Sequence, residues 1–299
     1  MDIEVKENYE IKNLTTFKIG GNVEKVFFPK TSDELIYLLN ELRNPLILGN
    51  CSNILFSSSG FNGSIILTSK MRFIEVKGTK IYAECGVLGA ELSQLALKNS
   101  LSGFEFMSCF PGSIGGNVCM NAGAHGQSIS DTLINAKIFD LDNKEVKILT
   151  NEQLEFGYRK SLLQNKNYVL ISAEFEGKEE NQDAIAEKIR LNKEARSKTQ
   201  PGLKYPNAGS VFKNPENNSA GKMLEESGAK TLSVNDAEVW QNHANFIVNR
   251  GNATSEDVLE LMYKMYCCVK DKQGIKLKPE VRYFGDKTSR EEEICKILY

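Results

Sequence analysis

Short runs of strand-forming residues alternate with helical patterns along most of this 299-residue chain. Apolar residues recur at helical spacing in 32–42 and in 254–272, where Thr254 begins a predicted capping box. A third helical pattern, 183–198, ends before Pro201, which cannot continue a helix. Alternation of this kind is typical of folds that combine sheets with helices. We therefore expect an α/β or α+β protein.

The boundaries of the predicted elements follow from apolar periodicity and from turn residues. The predicted helices are 32–42, with Ser32 as its cap, 90–98, 183–198, 220–227 and 254–272. The predicted strands are 45–48, 64–68, 80–85, 135–141, 146–149, 168–176 and 244–249. The charged residues after Gly285 are expected to form a frayed tail.

Charge and composition exclude several classes of partner. The 37 basic and 39 acidic residues are spread along the whole chain, so no positive stripe suited to nucleic acid is expected. No apolar run approaches the ~20 residues that span a bilayer, and residues 1–10 are charged where a signal peptide is apolar. We expect a cytoplasmic protein with no membrane partner.

The cysteines give no sign of a disulfide framework or a metal site. There are seven, an odd number, without a CxxC pair or a histidine-rich partner segment. The two histidines, His125 and His243, are far apart in sequence and do not indicate a metal site either. We expect reduced cysteines packed as small apolar residues, and no bound metal.

Two loops of small residues carry the strongest chemical signal. The first is 48–55, and the second is 110–117, with a small-residue extension at 120–124. Backbone amides and hydroxyls in such loops can bind a phosphate, although a Gly-rich loop can also serve only as a sharp turn. Taken together, they indicate two walls around a diphosphate. Neither GxGxxG after the first strand nor GxxxxGK[ST] is present, so a fold other than Rossmann or P-loop is expected.

Three polar sites are candidates for chemistry. Arg159 follows Tyr158 and could pair with a carboxylate, although a surface arginine is the simpler interpretation. Segment 207–215 combines a hydroxyl, an ammonium and an amide, a set suited to a polar substrate. Glu280 is an isolated carboxyl that alone indicates little. Ser210 is not in a GxSxG elbow, which disfavours a Ser-His-Asp hydrolase.

The order of eight sequence blocks resembles the UDP-N-acetylenolpyruvoylglucosamine reductase family, in its shorter form. The resemblance covers about residues 12–284. The blocks are Thr16–Gly21, the Gly49 loop, Pro111–Gly116, Met120–Ala124, Tyr158-Arg159, Gly209–Pro215, His243–Asn249 and Pro279–Val281.

The resemblance implies an α+β fold of the vanillyl-alcohol-oxidase type. Two α+β subdomains would bind FAD, and a C-terminal α+β domain would bind the substrate. We expect the subdomains at 1–70 and 71–198, the substrate domain at 199–285, and a charged tail at 286–299. Glu280 would return to the active site. A monomer is expected.

The resemblance also implies the reaction. NADPH would reduce non-covalently bound FAD, and the flavin would then reduce the enolpyruvyl group of UDP-N-acetylglucosamine enolpyruvate to give UDP-N-acetylmuramate, with ping-pong kinetics. The implied cofactor contacts are Gly49, Asn50, Cys51, Ser52, Asn53, Pro111, Gly112, Ser113, Gly115, Gly116, Asn117, Asn121, Ala122 and Gly123.

The implied catalytic residues are Arg159, Ser210 and Glu280. Arg159 would stabilise negative charge that builds on the substrate carboxylate, and Ser210 would donate a proton to the adjacent carbon. Glu280 would polarise or orient that carboxylate. The implied substrate contacts are Tyr158, Lys213 and Asn214.

The sequence departs from the family pattern at several positions. The departures are Asn50 and Cys51 in the first loop, Cys109 and Phe110 before the second, His125, and Trp240. These departures bear on how tightly FAD binds. The alternatives are an FAD-dependent oxidase or dehydrogenase of the same fold that acts on another alcohol or sugar, and a non-catalytic protein that binds a UDP-sugar.

Overall fold

The computed structural model describes residues 2–202 and 204–299. They form two compact units, and each unit has its own hydrophobic core. The described residues of the first unit are 2–6, 25–50 and 64–196, and those of the second are 7–24, 51–63, 197–202 and 204–299. The expected division into domains at 70, 198 and 285 stays a prediction.

The helices are α1 (Ser32–Glu41), α2 (Gly89–Lys98), α3 (Ile114–Cys119), α4 (Gln182–Thr199), α5 (Ala220–Glu226), α6 (Ser255–Gln273) and α7 (Ser289–Leu298). The strands are β1 (Glu4–Glu10), β2 (Asn22–Phe28), β3 (Leu46–Leu48), β4 (Ile54–Phe56), β5 (Phe61–Leu67), β6 (Ile74–Lys77), β7 (Lys80–Glu84), β8 (Leu101–Ser102), β9 (Gly123–Ala124), β10 (Gln127–Ser128), β11 (Leu133–Asp140), β12 (Glu145–Thr150), β13 (Tyr168–Glu176), β14 (Lys178–Glu179), β15 (Ser233–Val234), β16 (Ala237–Val239), β17 (Ile247–Asn249) and β18 (Arg282–Phe284).

The first unit is built on an antiparallel sheet with strand order β12-β11-β13-β7-β6. Strand β13 lies at its centre, and five consecutive side chains from Val169 to Ala173 are buried, as expected for a strand covered on both faces. Helix α1 adds Leu35, Leu38 and Leu39 to the same core from one face. The ends of these strands set where the connecting loops begin. Two of these loops are the one between β7 and α2 and the one before β13.

The second unit has a three-stranded sheet, β15-β16-β17, and a parallel pair, β4 and β18. Its longest helix, α6, has the predicted capping box. The Thr254 hydroxyl accepts a hydrogen bond from the Asp257 amide (3.1 Å), and the helix ends at Gly274, whose φ of 71° suits glycine. The predicted apolar stripe, which includes Leu261 and Met265, lies in the core.

Some predicted boundaries were wrong by a few residues. Thr31, not Ser32, caps α1, because its side chain accepts the Glu34 amide (3.2 Å). The strand predicted from 244 begins at Ile247, because the Phe246 amide donates to the His243 carbonyl (3.1 Å) in a turn. Strands β1 and β2 were not predicted: β1 is mostly exposed, and in β2 the charged pair Glu24 and Lys25 interrupts the apolar residues.

The tail after Gly285 was predicted to be frayed, and this was wrong. It contains α7, whose apolar side chains Ile294 and Leu298 enter the core of the second unit. Glu291 is buried, and its carboxylate accepts hydrogen bonds from the Ser255 hydroxyl (2.5 Å) and the Thr288 amide (2.9 Å). The sequence concealed this helix because a buried glutamate looks like a solvated one until its partners are known.

None of the helices in the described ranges combines the length and the apolar character that crossing a membrane requires. All seven cysteines are free thiols. Four of them, Cys51, Cys85, Cys109 and Cys295, are buried.

Glu291→Ala is expected to lower the free energy of unfolding by about 1–3 kcal/mol, because the buried Ser255 hydroxyl and Thr288 amide lose their acceptor. Urea unfolding measures the change. The control, Glu292→Ala in the same turn, removes an exposed carboxylate and is expected to change stability by less than ~0.5 kcal/mol. Equal effects of the two substitutions would contradict a specific role for Glu291.

Candidate active site

The second small-residue loop of the sequence, which runs into α3, is held against the segment between β7 and α2. The Ile114 amide donates to Val87 O (2.8 Å), and the Gly115 amide donates to Cys85 O (2.8 Å). A Cβ on Gly115 would lie 3.2 Å from that same carbonyl oxygen, so glycine permits the close approach. Side-chain bulk at Gly112 would overlap the amide oxygen of Asn117. The loop is therefore a fixed backbone surface.

Ser113 presents a hydroxyl that the protein itself does not satisfy. The side chain is 2% exposed, and its Oγ finds no hydrogen-bond partner in the described part of the chain. Gly49 of the first loop lies directly opposite, and a Cβ added there would overlap the Ser113 Oγ. Gly116, by contrast, is exposed: apart from its own helix backbone, the nearest described atom to an added Cβ is the Ser113 Oγ at 4.0 Å. A buried hydroxyl without a partner beside this exposed glycine suits an external acceptor such as a phosphate oxygen.

Asn50 joins the first small-residue loop to the second. Its side-chain amide donates to the carbonyl of Pro111 (2.6 Å). Asn50 thus makes a structural bond between two of the predicted cofactor loops, and both bonded residues, Asn50 and Pro111, lie in the first unit.

The rest of the first loop belongs to the second unit. Cys51 has a left-handed backbone (φ 50°), and its carbonyl accepts the Thr16 amide (3.3 Å). Burial raises the pKa of the Cys51 thiol to about 12, so the group stays neutral at physiological pH. Ser52 is half-buried, and Asn53 donates from its side chain to Glu280 O (3.1 Å).

Asn121 is one of the residues expected to contact the cofactor. In the structure its side-chain amide instead holds a neighbouring turn. Its amide nitrogen donates to Gly157 O (3.1 Å), and its amide oxygen accepts the Ser130 amide (3.0 Å). The side chain is buried, and the backbone is left-handed (φ 41°). Ala122 and Gly123 follow it, half-buried, and the Ala122 amide bonds to Asn117 O (2.8 Å).

Arg159 lies in a tight turn that the surrounding structure holds firmly. The Gly157 and Lys160 backbones exchange two hydrogen bonds of 3.1 Å, and Arg159 between them has a φ of 52°. Gln164 donates to the Arg159 carbonyl (3.1 Å), and the guanidinium donates to the Gly123 carbonyl (3.2 Å). A left-handed arginine is a strained position of the kind found at functional sites.

Ser210 and Glu280 lie close together in the second unit. Ser210 pairs with Phe246 in an isolated antiparallel bridge, and the Glu280 amide donates to Val211 O (2.8 Å). Ser210 is half-buried, and its hydroxyl makes no hydrogen bond to any described residue. Gly209 before it has a φ of 77° and open space around it. The structure therefore brings together two of the three predicted catalytic residues.

The predicted substrate contacts have different exposures. Lys213 is half-buried, and its amide donates to Lys278 O (2.9 Å). Asn214 is exposed, and its side-chain oxygen accepts the Ala220 amide (3.0 Å) at the start of α5. Tyr158 is 56% exposed, and the Arg159 guanidinium lies 5.2 Å from its ring centre.

Sequence reasoning missed residues that act through the backbone. Gln164 supports Arg159, the Thr16 hydroxyl donates to Asn207 O (2.7 Å), and Asn245 is bonded to the backbone beside Ser210. Asn245 was part of a recognised block, yet no role was assigned to it. An amide or hydroxyl gives no sequence signal of its partner when that partner is a distant main-chain group.

Comparison with known families identifies the class of protein. A family profile described as "FAD binding domain" matches residues 23–148. A second, described as "UDP-N-acetylenolpyruvoylglucosamine reductase, C-terminal domain", matches residues 200–284. The predicted FAD-binding α+β fold is confirmed, and the chain is an FAD-dependent oxidoreductase.

Relatives define the family more narrowly. The UDP-N-acetylenolpyruvoylglucosamine reductase of Caldanaerobacter subterraneus is 39% identical, covering 94% of this chain and 93% of the relative. That of Caldicellulosiruptor saccharolyticus is 40% identical, covering 96% and 94%. The crystal structure of the Thermus caldophilus reductase superposes with a TM-score of 0.81 at 32% identity, covering 95% of this chain and 99% of that one. The chain belongs to the UDP-N-acetylenolpyruvoylglucosamine reductase family.

The residues present fit FAD. The Ser113 hydroxyl supplies a donor that no described residue pairs with, and Gly49 and Gly116 leave room for close approach of a diphosphate. Neutral donors of this kind can hold phosphates without a positive side chain.

Gly49→Ala is expected to weaken FAD binding by at least about tenfold, because the added methyl overlaps the Ser113 hydroxyl and overpacking costs ~1–3 kcal/mol. Titration of apoprotein with FAD measures the dissociation constant. The control is Gly202→Ala, where the added carbon meets no atom within 4 Å. Unchanged FAD affinity in Gly49→Ala would show that this contact does not shape the cofactor site.

Proposed function

We propose that this chain catalyses the NADPH-dependent reduction of UDP-N-acetylglucosamine enolpyruvate to UDP-N-acetylmuramate, a step of peptidoglycan precursor synthesis. Membership of the reductase family, over nearly the full length of the chain, supports the reaction. The observation that carries the mechanism is the Ser210 hydroxyl, which has no protein partner among the described residues and lies next to the backbone of Glu280.

The reaction adds one hydride and one proton across the carbon–carbon double bond of the enolpyruvyl group. When bound, FAD would supply the hydride chemistry of this reaction, with NADPH as the source of the electrons. Hydride addition to the terminal carbon leaves negative charge on the adjacent carbon and on the substrate carboxylate. The protein must stabilise that charge and then protonate the adjacent carbon on one face.

Ser210 is the proposed proton donor. Its hydroxyl is held on a segment that is paired with backbone on two sides, so its position is well defined. A hydroxyl is a weak acid in water, but an enolate-like carbon is basic enough to take its proton. The open space at Gly209 leaves room for the substrate beside this hydroxyl.

Arg159 and Glu280 are proposed to act on the substrate carboxylate. The Arg159 guanidinium provides positive charge that is already oriented by its bond to Gly123 O, so little reorganisation is needed when negative charge develops. Glu280 would polarise or orient the carboxylate, in protonated form or through water. Tyr158, Lys213 and Asn214 are proposed to contact the sugar and phosphates.

The remaining proposals concern the cofactor contacts and the state of the protein. Besides Gly49 and Ser113, the proposed FAD contacts are Asn50, Cys51, Ser52, Asn53, Pro111, Gly112, Gly115, Gly116, Asn117, Asn121, Ala122 and Gly123. We infer a cytoplasmic monomer without a nucleic-acid or membrane partner. The balance of 37 basic and 39 acidic residues along the chain supports the absence of a nucleic-acid partner.

The function is tested with purified protein. Flavin absorbance and NADPH consumption that depends on the enolpyruvyl nucleotide, with UDP-N-acetylmuramate as the product, are the expected results. Protein that cannot take up FAD would contradict a flavoenzyme. NADPH consumption driven by oxygen or another substrate, without response to the enolpyruvyl nucleotide, would contradict this reaction.

Ser210→Ala is expected to leave the half-reaction with NADPH nearly unchanged and to slow the half-reaction with the enolpyruvyl nucleotide by about 10²–10⁴-fold, the usual contribution of a positioned acid. Stopped-flow absorbance of the flavin separates the two. Ser233→Ala, which removes an exposed hydroxyl on β15, serves as the matched control. An equal loss in both half-reactions would refute the assignment of Ser210 as the proton donor.

A further inference from the structure

One buried carboxamide in the second unit pairs with both backbone groups of a single residue. The Asn245 side-chain oxygen accepts the Phe212 N–H (2.9 Å), and its side-chain nitrogen donates to the Phe212 carbonyl (2.8 Å). The Asn245 carbonyl also accepts the Val211 N–H (2.9 Å). Asn245 is 3% exposed, so these bonds are sheltered from water. The side chain thus takes the place of a neighbouring strand.

The segment that Asn245 holds contains the proposed proton donor. Ser210 lies two residues before Phe212, and on the other side of the segment the Val211 carbonyl accepts the Glu280 amide (2.8 Å). Within the described residues, no other acceptor reaches the Phe212 N–H. The placement of the segment at 210–213 therefore depends on the Asn245 side chain. In a regular sheet, the main chain of a neighbouring strand would make these bonds.

The backbone of Asn245 is itself held by a neighbouring side chain. Its backbone N–H donates to the Nδ1 atom of His243 (3.2 Å), which requires that this nitrogen carry no proton. Burial lowers the pKa of His243, in keeping with a neutral ring that accepts this bond. The turn from His243 to Asn245 is therefore rigid when it meets the segment at 210–213.

We propose that Asn245 is a positioning residue for proton donation, setting the placement of the Ser210 hydroxyl relative to the substrate through the backbone of Val211 and Phe212. The inference rests on the proposed function. A shift of about 1 Å in a reacting group can cost on the order of 10²-fold in rate, so two sheltered hydrogen bonds are sufficient to matter. Hydride transfer from NADPH does not need this hydroxyl.

Two substitutions test the role. Asn245→Ala removes both bonds to Phe212, and Asn245→Asp keeps the acceptor but replaces the donor by an oxygen that faces the Phe212 carbonyl. Each is expected to slow the half-reaction with the enolpyruvyl nucleotide by roughly 10²-fold at pH 8 while the half-reaction with NADPH changes less than about threefold.

The reaction rate of Asn245→Asp is also expected to depend on pH. Burial beside a carbonyl oxygen favours the neutral carboxyl and raises its pKa, and the neutral form can donate an O–H to Phe212 where the amide did. The rate is therefore expected to recover as pH falls and to be lost as pH rises through that raised pKa. The ionisable residues on the paired segments and its own turn are Lys213, Lys278, Glu280 and His243, all present in the unsubstituted enzyme. The pH profile of the unsubstituted enzyme is the reference.

Asn249→Asp is the matched control. Asn249 is also 3% exposed in the same unit, and its amide donates to the Phe17 carbonyl (3.2 Å), but it makes no side-chain bond to residues 210–213. It is expected to lower the melting temperature while leaving both half-reactions within about threefold of the unsubstituted enzyme.

Amide hydrogen exchange provides a measure that is independent of activity. The Phe212 amide is expected to exchange at least about tenfold faster in Asn245→Ala than in the unsubstituted protein, because its acceptor is gone. The Phe212 amide should keep its protection in Asn249→Asp.

The outcomes separate this inference from the proposed function. Failure of the unsubstituted enzyme to react with the enolpyruvyl nucleotide would refute the function. If that enzyme turns over, either unchanged rates or an equal loss in both half-reactions would overturn the role of Asn245. Should Asn245→Ala fail to fold, the pH profile of Asn245→Asp decides: absence of recovery at low pH, in folded FAD-loaded protein, overturns the proposal.

Discussion

Buried main-chain groups must find hydrogen-bond partners, and the segment around Ser210 satisfies this requirement in an unusual way. It is bridged to Phe246 on one side and to Pro279 on the other through isolated pairs rather than a continuous ladder. The carboxamide of Asn245 completes the pairing at Phe212. A short segment fixed on two sides can expose one hydroxyl in a defined place, which is what stereospecific protonation requires.

The same requirement operates in the first unit, with glycine in place of asparagine. The loop at 111–117 approaches the backbone after β7 closely enough that a side chain at Gly115 would crowd a carbonyl. The close packing buries Ser113, and its hydroxyl has no partner within residues 2–202 and 204–299. An unsatisfied buried donor is costly unless a ligand pairs with it, which supports the proposal that this loop contacts FAD.

Much of the fold could be predicted because local physics specifies it. The capping box at Thr254 and the strand β13 were predicted from spacing and strand-forming residues alone. Helix α7 was missed because the burial of Glu291 depends on Ser255, a residue 36 positions away. In the site, the ordered blocks identified Ser210, Arg159 and Glu280 as candidates. They could not indicate that Arg159 adopts a left-handed backbone supported by Gln164.

The sequence by itself determined the family, the cofactor class and the residue types that the chemistry needs, because these follow from local composition and from the order of motifs along the chain. Only the tertiary structure decided which polar side chains form hydrogen bonds within the protein. Asn121, expected at the cofactor, uses its amide on Gly157 and Ser130, whereas the Ser113 hydroxyl has no partner among the residues that the structure describes. The physical reason is that hydrogen-bond partners are distant main-chain groups, and their positions exist only once the chain has folded.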